Sequence, residues 1–254
     1  MTAFLIFVFG LCVGSFLNVV IWRLPRKESL IFPPSHCPSC SHRIPPYDNI
    51  PLLSFVLLRG RCRFCRAPIS LRYPIVELMT GMLFVLPYLV YGLSWECLRG
   101  IVFSSLLIAI SGIDIDTMLI SDILAIPGTI VGVGLSFLSP RLYWTDALLG
   151  AFIGGGVVLF IYGVGKIFFR KEVIGLGDVR LLALIGAFVG WRSLFLVIMV
   201  ASLVGALFYL PSVITGKRGL ASEVPFGPFL AFGGIVAFYI GEVCFYLWLY
   251  GSTP

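Results

Sequence analysis

Six side chains in this sequence have the type and spacing to do chemistry. Four are cysteines, in "CPSC" at Cys37–Cys40 and "CRFC" at Cys62–Cys65, with 21 residues between the pairs. Two CxxC knuckles at this spacing can bring four thiolates around one tetrahedral zinc ion, as in a zinc ribbon. Arg61, Arg63 and Arg66 favour the thiolates and offset the negative charge of such a centre. Protein would fill every coordination position, so the ion, one per chain, would be structural and not catalytic. Two disulfides are the competing reading, which a reducing compartment disfavours. The other two side chains are Asp114 in "IDIDTMLISD" and Asp178 in "GLGDVRL". Two carboxylates brought together cannot both ionise cheaply, so they share a proton. One can then take a proton from water while the other polarises a peptide carbonyl. Gly175 and Gly177, just before Asp178, allow unusual backbone angles and close approach of a substrate chain. Spacing alone leaves a second reading open, in which Asp178 caps a helix or pairs with Arg180.

The elements that must position these groups lie in a membrane. The chain has 254 residues, 59% hydrophobic and 12% charged, with a mean hydropathy of +1.04. Soluble domains carry about 25% charged residues. The net charge of +6 suits loops facing anionic lipid and does not call for nucleic acid. A spanning helix needs about 20 apolar residues. Eight stretches qualify: about 3–22, 74–92, 97–114, 122–138, 146–166, 173–191, 193–212 and 229–250. With the N-terminus outside, only Arg99, Arg141 and Arg192 of the 18 basic residues fall outside. That asymmetry predicts both termini outside and residues 23–73 in the cytoplasm. The first stretch lacks a basic n-region and is expected to be an anchor, not a cleaved signal. The expected architecture is all-α and polytopic. About eight transmembrane helices carry a small cytoplasmic zinc-ribbon-like domain between the first and second. The domains are then 1–22, a first span; 23–73, a zinc-binding domain with four cysteine ligands; and 74–254, a seven-helix membrane domain. Residues 23–73 have too little core to fold alone, so a metal staple is physically sensible. No internal repeat is evident. The small residues around "GGG" at 154–156 suit close helix packing.

The remaining acids and cysteines sort by position. Glu28 and Asp48 lie in the cytoplasmic segment, Glu96 and Asp146 in outer loops, Glu172 and Glu223 in inner ones. Asp116 competes with Asp114, but residues two apart on a helix point about 200° from each other. Asp122 is expected to cap the fourth span. Glu77 reads as a first-turn acid at a helix N-terminus, and Glu242 as an interhelical hydrogen-bonded acid. Cys12, Cys97 and Cys244 show no pattern and read as packing.

Several longer motifs recur in a known family. "GSFLNVVIWRLPR" (Gly14–Arg26), the cysteine segment through "ISLRYPIVEL" (Cys37–Leu78), "IDIDTMLISD", "GLGDVRL" and "PFGPFLAFG" (Pro225–Gly233) resemble the bacterial type IV prepilin peptidases. The likeness runs in order over nearly the whole chain. It implies an inner-membrane aspartic endopeptidase of the GxGD kind. Such an enzyme removes the basic leader of type IV prepilins or type II secretion pseudopilins. It then methylates the new N-terminal amine with S-adenosylmethionine. The family's catalytic aspartates fall on Asp114 and Asp178, and its methylation function on the cysteine-bearing segment. Members without the four cysteines exist, which favours a stapling role for them. Ser121 departs from the proline many members carry there. No soluble-type glycine fingerprint for the methyl donor is present. Asp48 and Glu77, in the family-like stretch near the inner surface, are the candidates for cofactor binding and methylation. Two other readings remain: a GxGD protease with other substrates, or a proton-coupled transporter. The double CxxC segment argues against the first, and the lack of related halves against the second.

Overall fold

The computed structural model describes residues 1–169, 175–214 and 224–250. The expectations that fall on Arg170, Lys171, Glu172, Lys217, Arg218 and Glu223 lie outside the described residues. Among those described the chain is helical, without a strand. Eight long helices fall on the eight expected stretches: α1 (Thr2–Arg23), α3 (Arg72–Tyr91), α4 (Trp95–Thr117), α5 (Asp122–Ser136), α6 (Trp144–Phe169), α7 (Leu176–Val189), α8 (Leu194–Ile214) and α9 (Gly227–Tyr250). A short α2 (Leu53–Leu57) lies in the segment between α1 and α3. Among the described residues, five stretches are long and apolar enough to cross a membrane: α1, α3, α4, Trp191–Pro211 and Gly227–Phe245. The chain is therefore a multi-pass membrane protein. At 15 and 14 residues, α5 and α7 fall short of the ~20 needed to cross.

The chain divides into two compact units, Met1–Ala109 and Ile110–Pro254. In the first, α1 packs on α3 through small residues. A Cβ at Gly10 would sit 2.8 Å from the Gly81 Cα, and one at Gly14 2.7 Å from the Glu77 Cα. Gly10 and Gly14 are one turn apart on α1, the spacing that lets membrane helices approach backbone to backbone. The buried Arg23 ends α1 and donates to the Ser29 carbonyl at 2.8 Å and the Pro33 carbonyl at 2.7 Å. It thereby turns the chain into the cysteine segment.

In the second unit, α7 is the central helix and packs against α5, α6 and α9. Its closest approach is to α6, where Gly150 and Gly186 meet backbone to backbone and Gly154 faces the Leu182 carbonyl. Lipid offers no hydrophobic drive between helices, so packing of this kind must hold them together. Gly150→Leu is predicted to separate α6 from α7, with a loss at or above the upper end of the ~1–3 kcal/mol typical of overpacking. Thermal aggregation of the purified protein in detergent should fall to lower temperature.

Several acids sit differently from expectation. Asp146 lies in the first turn of α6, not in a loop, and accepts from Trp191 Nε1 at 3.0 Å. Glu96 and Arg99 belong to the first turns of α4, not to a loop, and form a buried ion pair at 2.6 Å. The apolar count that starts the third span at 97 misses this self-neutralised pair. Glu77 lies beyond the first turn of α3 and is not an end-of-helix acid.

Candidate active site and candidate metal centre

The metal centre is built from two turns of the same design. The Cys37 N–H donates to the His42 carbonyl at 2.9 Å, and the Ser41 N–H to the Cys37 carbonyl at 2.8 Å. The Cys62 N–H donates to the Ala67 carbonyl at 2.9 Å and the Arg66 N–H to the Cys62 carbonyl at 3.0 Å. Ser41 and Arg66 both take the left-handed conformation, at φ 57° and 60°. Short bridges His36–Arg43 and Arg61–Pro68 close the two turns. An internal repeat offset by 25 residues is thus present in the backbone. It escapes a sequence search because little beyond the cysteines and Ile44/Ile69 recurs.

The four sulfurs of Cys37, Cys40, Cys62 and Cys65 lie within 4.8 Å of one another. Cys37 and Cys65 Sγ are 3.8 Å apart. A tetrahedral ion bonded to four sulfurs at about 2.3 Å has edges of about 3.8 Å, so the set fits one metal ion. Burial opposes ionisation of Cys37, but the amides of Cys40 and Ser39 and neighbouring thiols bring its pKa down to about 6. The turns are tied together by the His42 and Phe64 rings, 3.6 Å between centroids.

Asp48 ends a 3-10 turn, Pro46–Asp48. Its two oxygens accept from Arg63 Nε at 2.7 Å and Arg63 Nη2 at 2.6 Å. The guanidinium holds the Asp48 carboxyl below the usual carboxylate range. A lowered folded value gives stability that is full above the unfolded pKa of about 3.9. That stability is lost as pH falls through the folded value. Asp48→Asn is predicted to loosen the cysteine segment at pH 7, and its difference from the parent should shrink as pH falls through the lowered folded value. Hydrogen exchange at the amides of 46–63 reads this.

Glu77 is buried. Its Oε2 accepts from the Leu52 N–H at 2.8 Å, and Ser15 bonds the same carboxylate. Leu52, at φ 58°, opens α2.

The aspartates gather in the second unit. Asp114 lies one turn inside the C-terminal end of α4 and is 5% exposed, whereas Asp116 is exposed. Asp114 Oδ2 accepts from the Gly227 N–H at 2.9 Å, the first amide of α9. Asp178 sits in the first turn of α7 and within electrostatic reach of Asp114. Two helix N-termini, each with a positive dipole end, therefore face this acid pair. Arg180 is engaged elsewhere, pairing with Asp122. The N-cap of α5 is Ser121, not Asp122. Ser121 has φ −72°, within the range proline fixes, so its torsion is one that a proline there could also adopt.

Neither glycine before Asp178 adopts unusual angles. Gly175 is extended at φ −69° and ψ 140° as N-cap, and Gly177 lies in the first helical turn. The neighbour that closes on Gly177 is the chain's own Ile120, whose Cβ would stand 2.9 Å from an added Cβ. Small size, and not torsional freedom, is what the position uses. Gly227 escaped sequence reasoning, although "PFGP" flags a helix start. A Cβ there would sit 2.7 Å from Asp114 Oδ2. Gly227→Ala is predicted to swing Asp114 off its amide without unfolding the chain. A hydrogen bond to a charged group contributes about 1.5–3 kcal/mol, so activity at the pair should fall about 10- to 100-fold, measured as kcat.

Comparison with known proteins agrees with these motifs. A family model described as the bacterial peptidase A24 N-terminal domain matches residues 8–91, and one described as the type IV leader peptidase family matches 101–210. The prepilin leader peptidase/N-methyltransferase of Myxococcus xanthus is 43% identical over 222 residues, covering 87% of this chain and 66% of that one. Its namesake in Aeromonas hydrophila is 38% identical over 262 residues, covering 94% and 90%. The type 4 prepilin-like proteins leader peptide-processing enzyme of Escherichia coli is 41% identical over 250 residues, covering 91% of each. No solved structure is significantly similar. With such identity over most of several relatives, the chain belongs to the type IV leader peptidase family.

Proposed function

We propose that this chain is a bifunctional inner-membrane enzyme. It removes the basic leader of type IV prepilins or type II secretion pseudopilins at the cytoplasmic face and then N-methylates the new N-terminus. The observation that supports the reading is that Asp114, near the end of α4, and Asp178, in the first turn of α7, lie within electrostatic reach of each other. The substrate's scissile bond lies between a cationic leader and an apolar helix, so it meets the enzyme at the inner interface. The asymmetry of basic residues puts that interface on the side of residues 23–73.

In the peptidase step one aspartate is ionised and takes a proton from water. The other, protonated, donates to the carbonyl oxygen as the water oxygen adds to carbon. Collapse of the tetrahedral intermediate breaks the C–N bond, and the leaving amine takes up a proton from the pair. The Gly227 amide holds Asp114 in place during these transfers.

S-adenosylmethionine, the co-substrate of the second step, supplies an electrophilic methyl group. The acceptor amine must be neutral, and an α-amino group with a pKa of about 7.7–8.0 is partly so near neutrality. Asp48 and Glu77 serve this step by holding its module, since Arg63 occupies both oxygens of Asp48 and Leu52 occupies Glu77. Zinc is the ion that best suits four thiolates at tetrahedral spacing.

The test uses purified enzyme, a synthetic prepilin and S-adenosylmethionine carrying a labelled methyl group. Leader loss on a gel followed by label on the trimmed amine is expected. Cleavage without label would leave a peptidase alone; no cleavage would overturn the reading.

A further inference from the structure

The segment between α1 and α3 contains a helix built inside out. On α2, Leu53, Val56 and Leu57 lie at the spacing of one helical stripe, and they are 51%, 69% and 71% exposed. Ser54, the polar residue of the same helix, is buried. Its hydroxyl donates to the Tyr47 carbonyl at 3.1 Å and accepts from the Ile50 N–H at 3.0 Å. In water this arrangement is unfavourable, because the aliphatic face is solvated and the polar group withdrawn.

Two tethers fix the depth at which this happens. The Leu52 N–H, at the start of α2, is held by Glu77. Glu77 is five residues inside α3, about 7.5 Å along the helix axis. α3 has 20 residues, about 30 Å, which the hydrocarbon core of a bilayer consumes entirely. A residue about 7.5 Å inside such a helix is therefore below the lipid surface. The second tether is a cleft of about 500 Å³ in which Ile44, Pro46, Asn49 and Pro51 share walls with Cys12 and Phe16 of α1. Cys12 is eleven residues before the end of α1, about 16 Å down its axis. Both the approach to α2 and its first amide thus lie beside membrane-spanning helices at depths inside the span. Immediately after the stripe the chain turns back through Arg59 and Gly60, at φ 52° and 67°, to Arg61.

We propose that residues 50–58 form a monotopic membrane element, with Leu53, Val56 and Leu57 among acyl chains of the leaflet and Arg59 and Arg61 at anionic headgroups. The occupant of the exposed face is lipid. The stripe follows directly on a tether to α3 and an approach that lines a cleft with α1, both spanning helices, and its basic rim complements phosphatidylglycerol. The cysteine module is then lowered onto the bilayer, where the N-terminus of an apolar substrate helix would emerge. The placement does not depend on which reaction the module serves.

Single nitroxides attached through a non-natural residue at Val56, Leu57 and, as control, Ser39 test this by collision accessibility. The full chain is placed in vesicles of phosphatidylethanolamine and phosphatidylglycerol, without substrate and with Asp114→Asn. Expected is access by apolar oxygen above that by a water-soluble nickel chelate at 56 and 57, and the reverse at 39, unchanged when lipid is diluted against protein. Higher nickel access at 56 or 57 would overturn the proposal. So would shielding from both reagents, which means that protein covers the face, or a dependence on dilution, which means a second copy. Oxygen-accessible labels in an Asp114→Asn chain that still cleaves prepilin at the wild-type rate would sink the catalytic reading and leave this one standing.

Discussion

Asp178→Asn and Asp114→Asn should each abolish leader removal while leaving the purified chain folded. The amide is nearly isosteric but cannot hold or pass the shared proton. General acid–base participation contributes about 10²–10⁴-fold, and groups acting as one unit fail together, so the double variant should be scarcely worse than either single one. The change at Asp114 is the more informative. Its Oδ2 already accepts from Gly227, and an asparagine can keep that bond through its carbonyl. Retained folding with lost cleavage then isolates proton handling from helix capping. Methylation of a synthetic, already trimmed pilin N-terminus should survive both changes. Wild-type cleavage by either variant would show that the pair is structural.

Removing the metal is expected to act on the other unit. Chelation, or Cys37→Ser with Cys62→Ser, should unfold the two cysteine turns, residues 36–43 and 61–68, and end methylation. Apparent binding energies for structural zinc are about 10–16 kcal/mol. The two cysteine turns hold little else that can replace such a term, only one ring contact and the Asp48–Arg63 pair, whereas α2 keeps its tether to Glu77. Cleavage should persist, because Asp114, Asp178 and Gly227 all belong to the second unit. The readouts are bound metal by elemental analysis, labelled-methyl transfer and leader loss on the same sample. Loss of cleavage on chelation would mean that the two chemistries share the metal.

The helices were legible because the bilayer simplifies the code. Length and apolarity alone locate α1, α3, α4, α8 and α9. The cysteines were legible because ligand spacing is local. What escaped is what depends on partners far apart in sequence. Gly227 is 113 residues from Asp114, and no periodicity links them. Arg180 could be paired with Asp178 on proximity, yet it reaches Asp122 across two helices. Glu96 looked like a loop acid until Arg99 neutralised it inside the helix. α2 was counted with polar, proline-rich surroundings, although its own five residues, LSFVL, are almost wholly apolar.

The twofold construction of the cysteine segment has a consequence for biosynthesis. Each half owns only two ligands, so the ion cannot be captured until Cys65 follows Cys40 out of the ribosome, 25 residues later. At about 5–20 residues per second that interval is about 1–5 s. During it a pair of nucleophilic sulfurs stands unguarded at the mouth of the translocation machinery, so oxidative stress should injure the nascent polypeptide more readily than the mature enzyme.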